Sequence, residues 1–181
     1  AATIWGATAD HWTALGLNTV SELSREMIRC YREHAPQIKL FPDAQEVLTE
    51  LKRRQIRMGL ITDGLAHVQK SKVNALQLSG FDLVIYTDLL APNRAAWKPS
   101  IQPFLMALKH FAEPPGAMCY VGDNPGKDFA GPMELGMKTV WVKRENGVHA
   151  AKYVSDAAIE SVKVDYTVQA LNELVGILEI D

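Results

Sequence analysis

The chain has 181 residues and a net charge of −2, and its 48% hydrophobic content is enough for one core with a small appendage. No basic stripe argues for a nucleic-acid partner, and no apolar run approaches the ~18 residues of a membrane span. Cys30 and Cys119 have no paired spacing. We therefore expect reduced, buried thiols and a cytoplasmic protein.

Residues 1–40 differ from the rest of the chain because they show helical periodicity without any strand pattern. The spacing of apolar residues predicts helices at 5–17 and 19–34. Trp5 and Trp12 are interpreted as packing aromatics, with the roof of a pocket as the alternative.

From residue 41 onward, strand and helix patterns alternate. Apolar runs predict strands at 58–61, 82–86, 117–121, 138–142 and 165–168. Helices are predicted from Pro42, with Asp43 and Glu46 as a possible capping box, and at 66–78, 101–111, 127–135 and 169–178. This alternation predicts an α/β fold with a three-layer, Rossmann-like parallel sheet and helices on both faces.

Polar residues follow the predicted strands at the points where those strands end. They are Thr62, Asp63, Asp88 and Asp123. Because parallel strands all end at the same side of a sheet, we expect these residues to gather at one edge, which is where open α/β sheets bind ligands.

The residue types at this edge suit phosphoryl chemistry. Thr62 offers a hydroxyl, and the turn at Gly64 offers backbone N–H groups to an anion. Lys98 could neutralise a phosphoryl group or a carboxylate. Asp123 could bind Mg²⁺, with Asp128 helping through the waters of the metal or by pairing with Lys98. Each signal is weak alone, since such acids often only shape turns and a lysine before proline is usually solvated.

Three motifs occur in a fixed order: I-T-D-G at 61–64, K-P at 98–99 and V-G-D-N-P-G-K-D at 121–128. In this order and strand context they resemble the haloacid dehalogenase-like (HAD) hydrolase superfamily, and the chain looks most like the phosphatase branch with a small helical cap. The resemblance implies a partial helical cap at 1–40 and a HAD-like core at 41–181.

The resemblance also implies roles for single residues. Thr62 would bind the phosphoryl group together with the backbone at Asp63 and Gly64, and Lys98 would stabilise the nucleophile and the phosphoryl charge. Asp123 would ligate Mg²⁺, and Asp128 would support the metal site. The expected substrate is a small phosphorylated metabolite. The sequence does not identify this metabolite, and it does not indicate the oligomeric state of the protein.

The first motif of the superfamily, a strand ending in Asp-x-Asp, has no counterpart before Thr62. Asp10 follows no predicted strand and Asp43 begins a helix. The missing strand would lie at the centre of the sheet, between the strands that end at Thr62 and Asp123. We expect a fragment whose first motif lies upstream; the alternatives are a strand supplied by another chain or direct pairing of the two flanking strands.

Three functions compete at this point. The leading one is a Mg²⁺-dependent phosphomonoester hydrolase that works through an aspartyl-phosphate, with the present chain inactive alone. The second is a non-catalytic phosphate-binding or regulatory domain. The third is a dehalogenase, which would not need the metal that Asp123 and Asp128 suit.

Overall fold

The structure is a computed structural model that describes residues 16, 19–145, 147 and 163–177. Apart from Gly16, the predicted helix at 5–17 lies outside the described residues, together with Trp5, Asp10 and Trp12. Within the described ranges, no helix is both long enough and apolar enough to cross a membrane.

The described residues form five short strands and six α-helices. The strands are β1 (Gly59–Thr62), β2 (Leu83–Tyr86), β3 (Cys119–Gly122), β4 (Lys138–Val142) and β5 (Tyr166–Val168). The helices are α1 (Val20–Glu33), α2 (Pro42–Arg53), α3 (Ala66–Ala75), α4 (Gln102–Phe111), α5 (Ala130–Glu134) and α6 (Leu174–Ile177).

Every paired strand runs parallel to its neighbour, but the five strands form two sheets instead of one. β1 pairs only with β2, while β3, β4 and β5 form a second sheet in that order. Among the described residues β1 and β3 do not pair, so the alternative in which the flanking strands pair directly is wrong. The division falls where the sequence lacks the strand expected at the centre of the sheet.

Helices cover both faces of the three-stranded sheet. Successive side chains of β4 point to opposite faces, so neighbouring residues of this strand pack against different parts of the chain. Val140 and Val142 pack with Val47 of α2 and Leu174 of α6. Trp141, between them, packs on the other face against Phe129. The predicted α/β architecture is therefore confirmed.

The two-stranded sheet has a core of its own. Ile85 of β2 packs against Ala107 and Phe111 of α4. Phe104 of α4, which is fully buried, instead reaches β3, where its ring meets Tyr120 edge to face at 4.9 Å between centroids. Helix α4 thus contacts both sheets.

The element bounds agree with the sequence patterns to within a few residues, with informative exceptions. The helix predicted at 127–135 begins only at Ala130, because the Asp128 carboxylate holds the preceding residues in a turn. The helix predicted at 169–178 is divided into a 3₁₀ turn, Leu171–Glu173, and the short α6. Cys30 and Cys119 are free thiols as expected, although both are half-buried.

The predicted capping box of Asp43 and Glu46 is wrong. Helix α2 begins after Phe41 without any side-chain cap. The Asp43 carboxylate instead accepts hydrogen bonds from Arg144 Nη2 at 2.5 Å and from the backbone N–H of Leu171 at 2.8 Å. One carboxylate therefore ties α2 to the segments that follow β4 and β5.

Replacing this carboxylate should destabilise the fold in a pH-dependent way. Burial alone would raise the pKa of Asp43, but the Leu171 N–H and Arg144 hold it below the usual value. We expect Asp43→Asn to lower the free energy of unfolding by about 1–3 kcal/mol at pH 7. Because its folded pKa lies below the unfolded pKa of ~3.9, the ionised Asp43 stabilises the fold at pH values above ~3.9. This stabilisation is lost as the pH falls through the folded pKa. The difference in unfolding free energy between the variant and the parent protein should therefore narrow at low pH.

Urea unfolding at pH 7 and at pH 3 measures this deficit. Glu46→Gln, an exposed change on the same helix, is the control and should stay within about 0.5 kcal/mol of the parent protein. A deficit of the same size at both pH values would contradict the assigned role of the Asp43 charge.

Candidate active site

Thr62 ends β1, and a tight turn follows it. Its hydroxyl donates a hydrogen bond to Gln69 Oε1 at 3.0 Å, so α3 orients the side chain. Gly64 has a φ of 124°, and a Cβ there would lie 2.5 Å from Gln69 Nε2. The positive φ is the reason that this turn favours glycine, since the flexible end of the Gln69 side chain can move away from a Cβ.

Asp63 faces inward, and its side chain is 4% exposed. Oδ1 accepts from the Thr87 hydroxyl at 2.9 Å and from the backbone N–H of Lys98 at 3.2 Å. Oδ2 lies 2.9 Å from Lys127 Nζ. Burial would raise the pKa of Asp63, but Lys127 and the other partners lower it overall. The Asp63 carboxylate thus fixes the ends of β1 and β2 and the segment carrying Lys98.

Lys98 is the buried cation of the site, with a side chain 9% exposed. Its Nζ lies 2.8 Å from Asp128 Oδ1 and donates to the Tyr120 hydroxyl at 2.9 Å. Burial alone would lower the pKa of Lys98, but Tyr120 and Asp128 raise it overall. Burial raises the pKa of Tyr120 to about 12. At neutral pH an ammonium therefore faces a neutral phenol and a carboxylate.

Asp128 is 2% exposed, and both of its oxygens are engaged. Oδ1 faces Lys98, while Oδ2 accepts from the backbone N–H groups of Asp123 at 3.2 Å and Asn124 at 2.9 Å. A Cβ at Gly122 would lie 2.8 Å from Oδ2, so glycine allows this close approach. Asp128 thus determines the shape of the loop after β3.

Asp123 differs from Asp128 because it is exposed at the carboxyl end of β3. No group of three acidic, histidine or cysteine side chains suited to a metal occurs within the described part of the chain. Mg²⁺ is often held by one or two carboxylates together with waters and substrate phosphate. Asp123 fits such a site, whereas Asp128 is occupied by Lys98 and the loop backbone.

Asp88, the other predicted acid at this edge, has a structural position. It lies in the turn after β2, and its carboxylate accepts from the backbone N–H of Ala66 at 3.0 Å, at the first residue of α3. A carboxylate there satisfies a helix N–H group and suits the positive end of the helix dipole.

The structure thus links the two sheets through polar contacts at their carboxyl ends. Asp63 at the end of β1 contacts Lys127 beyond β3, and Lys98 contacts Asp128 and Tyr120. Sequence reasoning missed Tyr120 and Lys127 as site residues. The sequence pattern indicates only that Tyr120 belongs to an apolar strand. Lys127 lies within the 121–128 motif, next to Asp128, and this position is the signal that could have identified it.

Comparisons with known proteins identify the family of this chain. A family model described as haloacid dehalogenase-like hydrolase matches residues 9–142. Phosphoserine phosphatase of Thermus thermophilus is 33% identical over 124 residues, which cover 68% of this chain and 48% of that protein. Glyceraldehyde 3-phosphate phosphatase of Pyrococcus furiosus is 32% identical over 139 residues, covering 76% and 54%. The chain spans about half the length of these curated relatives.

Solved structures resemble the fold at lower identity. A HAD phosphatase from Thermococcus onnurineus superposes with a TM-score of 0.62 and 24% identity, covering 93% of this chain and 69% of that one. A dehalogenase superposes with a TM-score of 0.66 and 20% identity, covering 93% and 68%. At these identities the likeness shows the shared fold.

The contacts of Lys98 predict an order of stability among variants. Asp128→Asn should lower the free energy of unfolding by about 3–5 kcal/mol, because it leaves a buried ammonium without its carboxylate. Tyr120→Phe should cost only about 1 kcal/mol, the value of one hydrogen bond. Urea unfolding measures both, with exposed Glu134→Gln on α5 as the control. A larger loss for Tyr120→Phe than for Asp128→Asn would contradict the assignment.

Proposed function

The chain belongs to the haloacid dehalogenase-like hydrolase family, and we propose on this premise that the protein containing it is a Mg²⁺-dependent phosphatase of small phosphomonoesters. The observation that carries the proposal is the buried Lys98 ammonium, held by Asp128 and Tyr120 beside the ends of β1 and β3. The names of the two phosphatase relatives support it, and by analogy the substrate is a small phosphorylated metabolite.

The residues of this chain would bind and orient the phosphoryl group. The N–H groups of the turn around Gly64 would donate to its oxygens, and the Thr62 hydroxyl would do so by exchanging its hydrogen bond to Gln69 for one to the phosphoryl group. Lys98 donates one of its three N–H groups to the Tyr120 hydroxyl and forms an ion pair with Asp128. Its charge would also neutralise the phosphoryl oxygens, and phosphoryl transfer depends mainly on such positioning and charge stabilisation.

Asp123 would hold the Mg²⁺ ion. The bound metal supplies charge neutralisation and alignment of the phosphoryl oxygens. Asp128 supports this site indirectly, because its carboxylate fixes both the backbone N–H of Asp123 and the ammonium of Lys98.

The attacking group of the proposed reaction is an aspartate that no motif of this chain supplies. We place it on an Asp-x-Asp strand outside the given sequence, between β1 and β3, where it would form the aspartyl-phosphate. Residues 1–40 would be part of a cap over the site, and residues 41–181 the core without that strand. If the full-length protein lacks this aspartate, the second candidate function applies, namely a domain that binds phosphate without turnover.

The test uses the full-length protein that contains this chain. Release of inorganic phosphate from p-nitrophenyl phosphate and from a panel of phosphorylated metabolites should require Mg²⁺, stop with EDTA and return when Mg²⁺ is added. Asp123→Asn should lower kcat/KM by at least about 100-fold, because the proposed metal ligand loses its charge.

Glu134→Gln, an exposed acid on α5, should leave turnover unchanged and controls for the loss of one negative charge. Phosphate binding without any turnover would favour the regulatory domain. Turnover that survives EDTA would reject the metal-dependent mechanism.

A further inference from the structure

A cleft of about 410 Å³ lies beside the candidate active site, between α1 and the beginning of α3. Five residues of α1 line one side, and Leu65 and His67 line the other. Leu65 is three residues beyond Thr62, and three residues span at most about 10 Å. The cleft is therefore within reach of a small molecule whose phosphoryl group lies at Thr62.

The α1 side of this cleft is strongly basic. Arg25, Arg29 and Arg32 recur at helical spacing and so share one face of α1, and all three line the cleft. The one acidic residue in the lining is Glu33. On the opposite side, His67 is exposed and can donate a further hydrogen bond.

Two of the three arginine charges are not balanced within the part of the chain that the structure describes. Arg29 pairs with Glu26 and with Glu33, so these charges largely offset one another. Arg25 and Arg32 form no ion pair among the described residues. The helix dipole accounts for Arg32, which lies in the last turn of α1, but not for Arg25.

We infer that this cleft binds a second anionic group of the substrate, a carboxylate or a second phosphate, through Arg25 and Arg32. The inference rests on the proposed phosphatase function and narrows its substrate class. The substrate is then a phosphomonoester that carries a second anionic group, separated from its phosphorus by the distance between Thr62 and the α1 side of the cleft. Arginine suits this role because its planar guanidinium binds carboxylate and phosphate in a bidentate manner.

The experiment compares matched, non-hydrolysable probes by isothermal titration calorimetry on the full-length protein with Mg²⁺. Alkylphosphonates occupy the phosphoryl site alone, whereas ω-carboxyalkylphosphonates of increasing chain length add the second anion. We expect the best carboxylated probe to bind at least about tenfold more tightly than its alkyl counterpart. A bisphosphonate series shows whether phosphate is preferred to carboxylate as the second group.

The double variant Arg25→Gln/Arg32→Gln should remove the difference between the matched probes. Lys109→Gln should retain it, because this exposed lysine lies in the last turn of α4. At this end of α4, the carbonyl of Phe111 accepts a hydrogen bond from Arg57, which lies just before the start of β1. This end of α4 is therefore near the amino end of β1, whereas Thr62 lies at the carboxyl end.

Equal affinities for the matched probes, or a difference that survives the double variant, would overturn the second-anion site while leaving the phosphatase proposal in place. Alkylphosphonate binding reports on the phosphoryl site separately. Failure of every probe to bind folded protein, with no phosphatase turnover, would overturn both proposals.

Discussion

The structure depends on one buried ammonium shared between two acceptors. Lys98 reaches from the segment after β2 to Tyr120 of β3 in the other sheet and to Asp128 in the loop after β3. A buried charge is tolerated only when it is paired and hydrogen-bonded, so the two sheets must keep these three groups together. The ammonium that this requirement holds in place is also the group that the proposed function assigns to the phosphoryl charge.

A second ion pair also connects the two sheets, with the lysine and the aspartate on the reversed sides. Lys98 comes from the first sheet and meets an acid of the second, whereas Lys127 comes from the second and meets Asp63 of the first. The carboxylates of Asp63 and Asp128 are thereby used for position. Thr62 and Asp123, at the ends of β1 and β3, are the residues to which the proposed function assigns the phosphoryl group and the metal.

Much of this arrangement could be predicted because its signals are local. Strand ends are visible as apolar runs that stop at polar residues, and parallel strands are expected to bring those ends together. The contact of Asp63 with Lys127 agrees with this expectation for the ends of β1 and β3. The partners of Asp43 could not be predicted, because Arg144 and Leu171 are distant in sequence and only packing brings them near. Tyr120 was missed for a related reason, since a buried phenol beside a lysine looks like any other aromatic in a strand.

The two sheets are connected by the ion pairs of Lys98 and Lys127 and not by strand pairing between β1 and β3. Among the described residues, β1 pairs only on its β2 side and β3 only on its β4 side, so each has an edge whose backbone groups lack a strand partner. Folded proteins usually pair or cover an open strand edge, which is the physical reason to expect a strand between β1 and β3. Direct pairing of β1 with β3 would bring their ends to ~4.8 Å, too close for a phosphoryl group and a metal between Thr62 and Asp123. The side chains of Lys98 and Lys127 connect the sheets without requiring that closure, and so they are compatible with both the proposed strand and the proposed reaction.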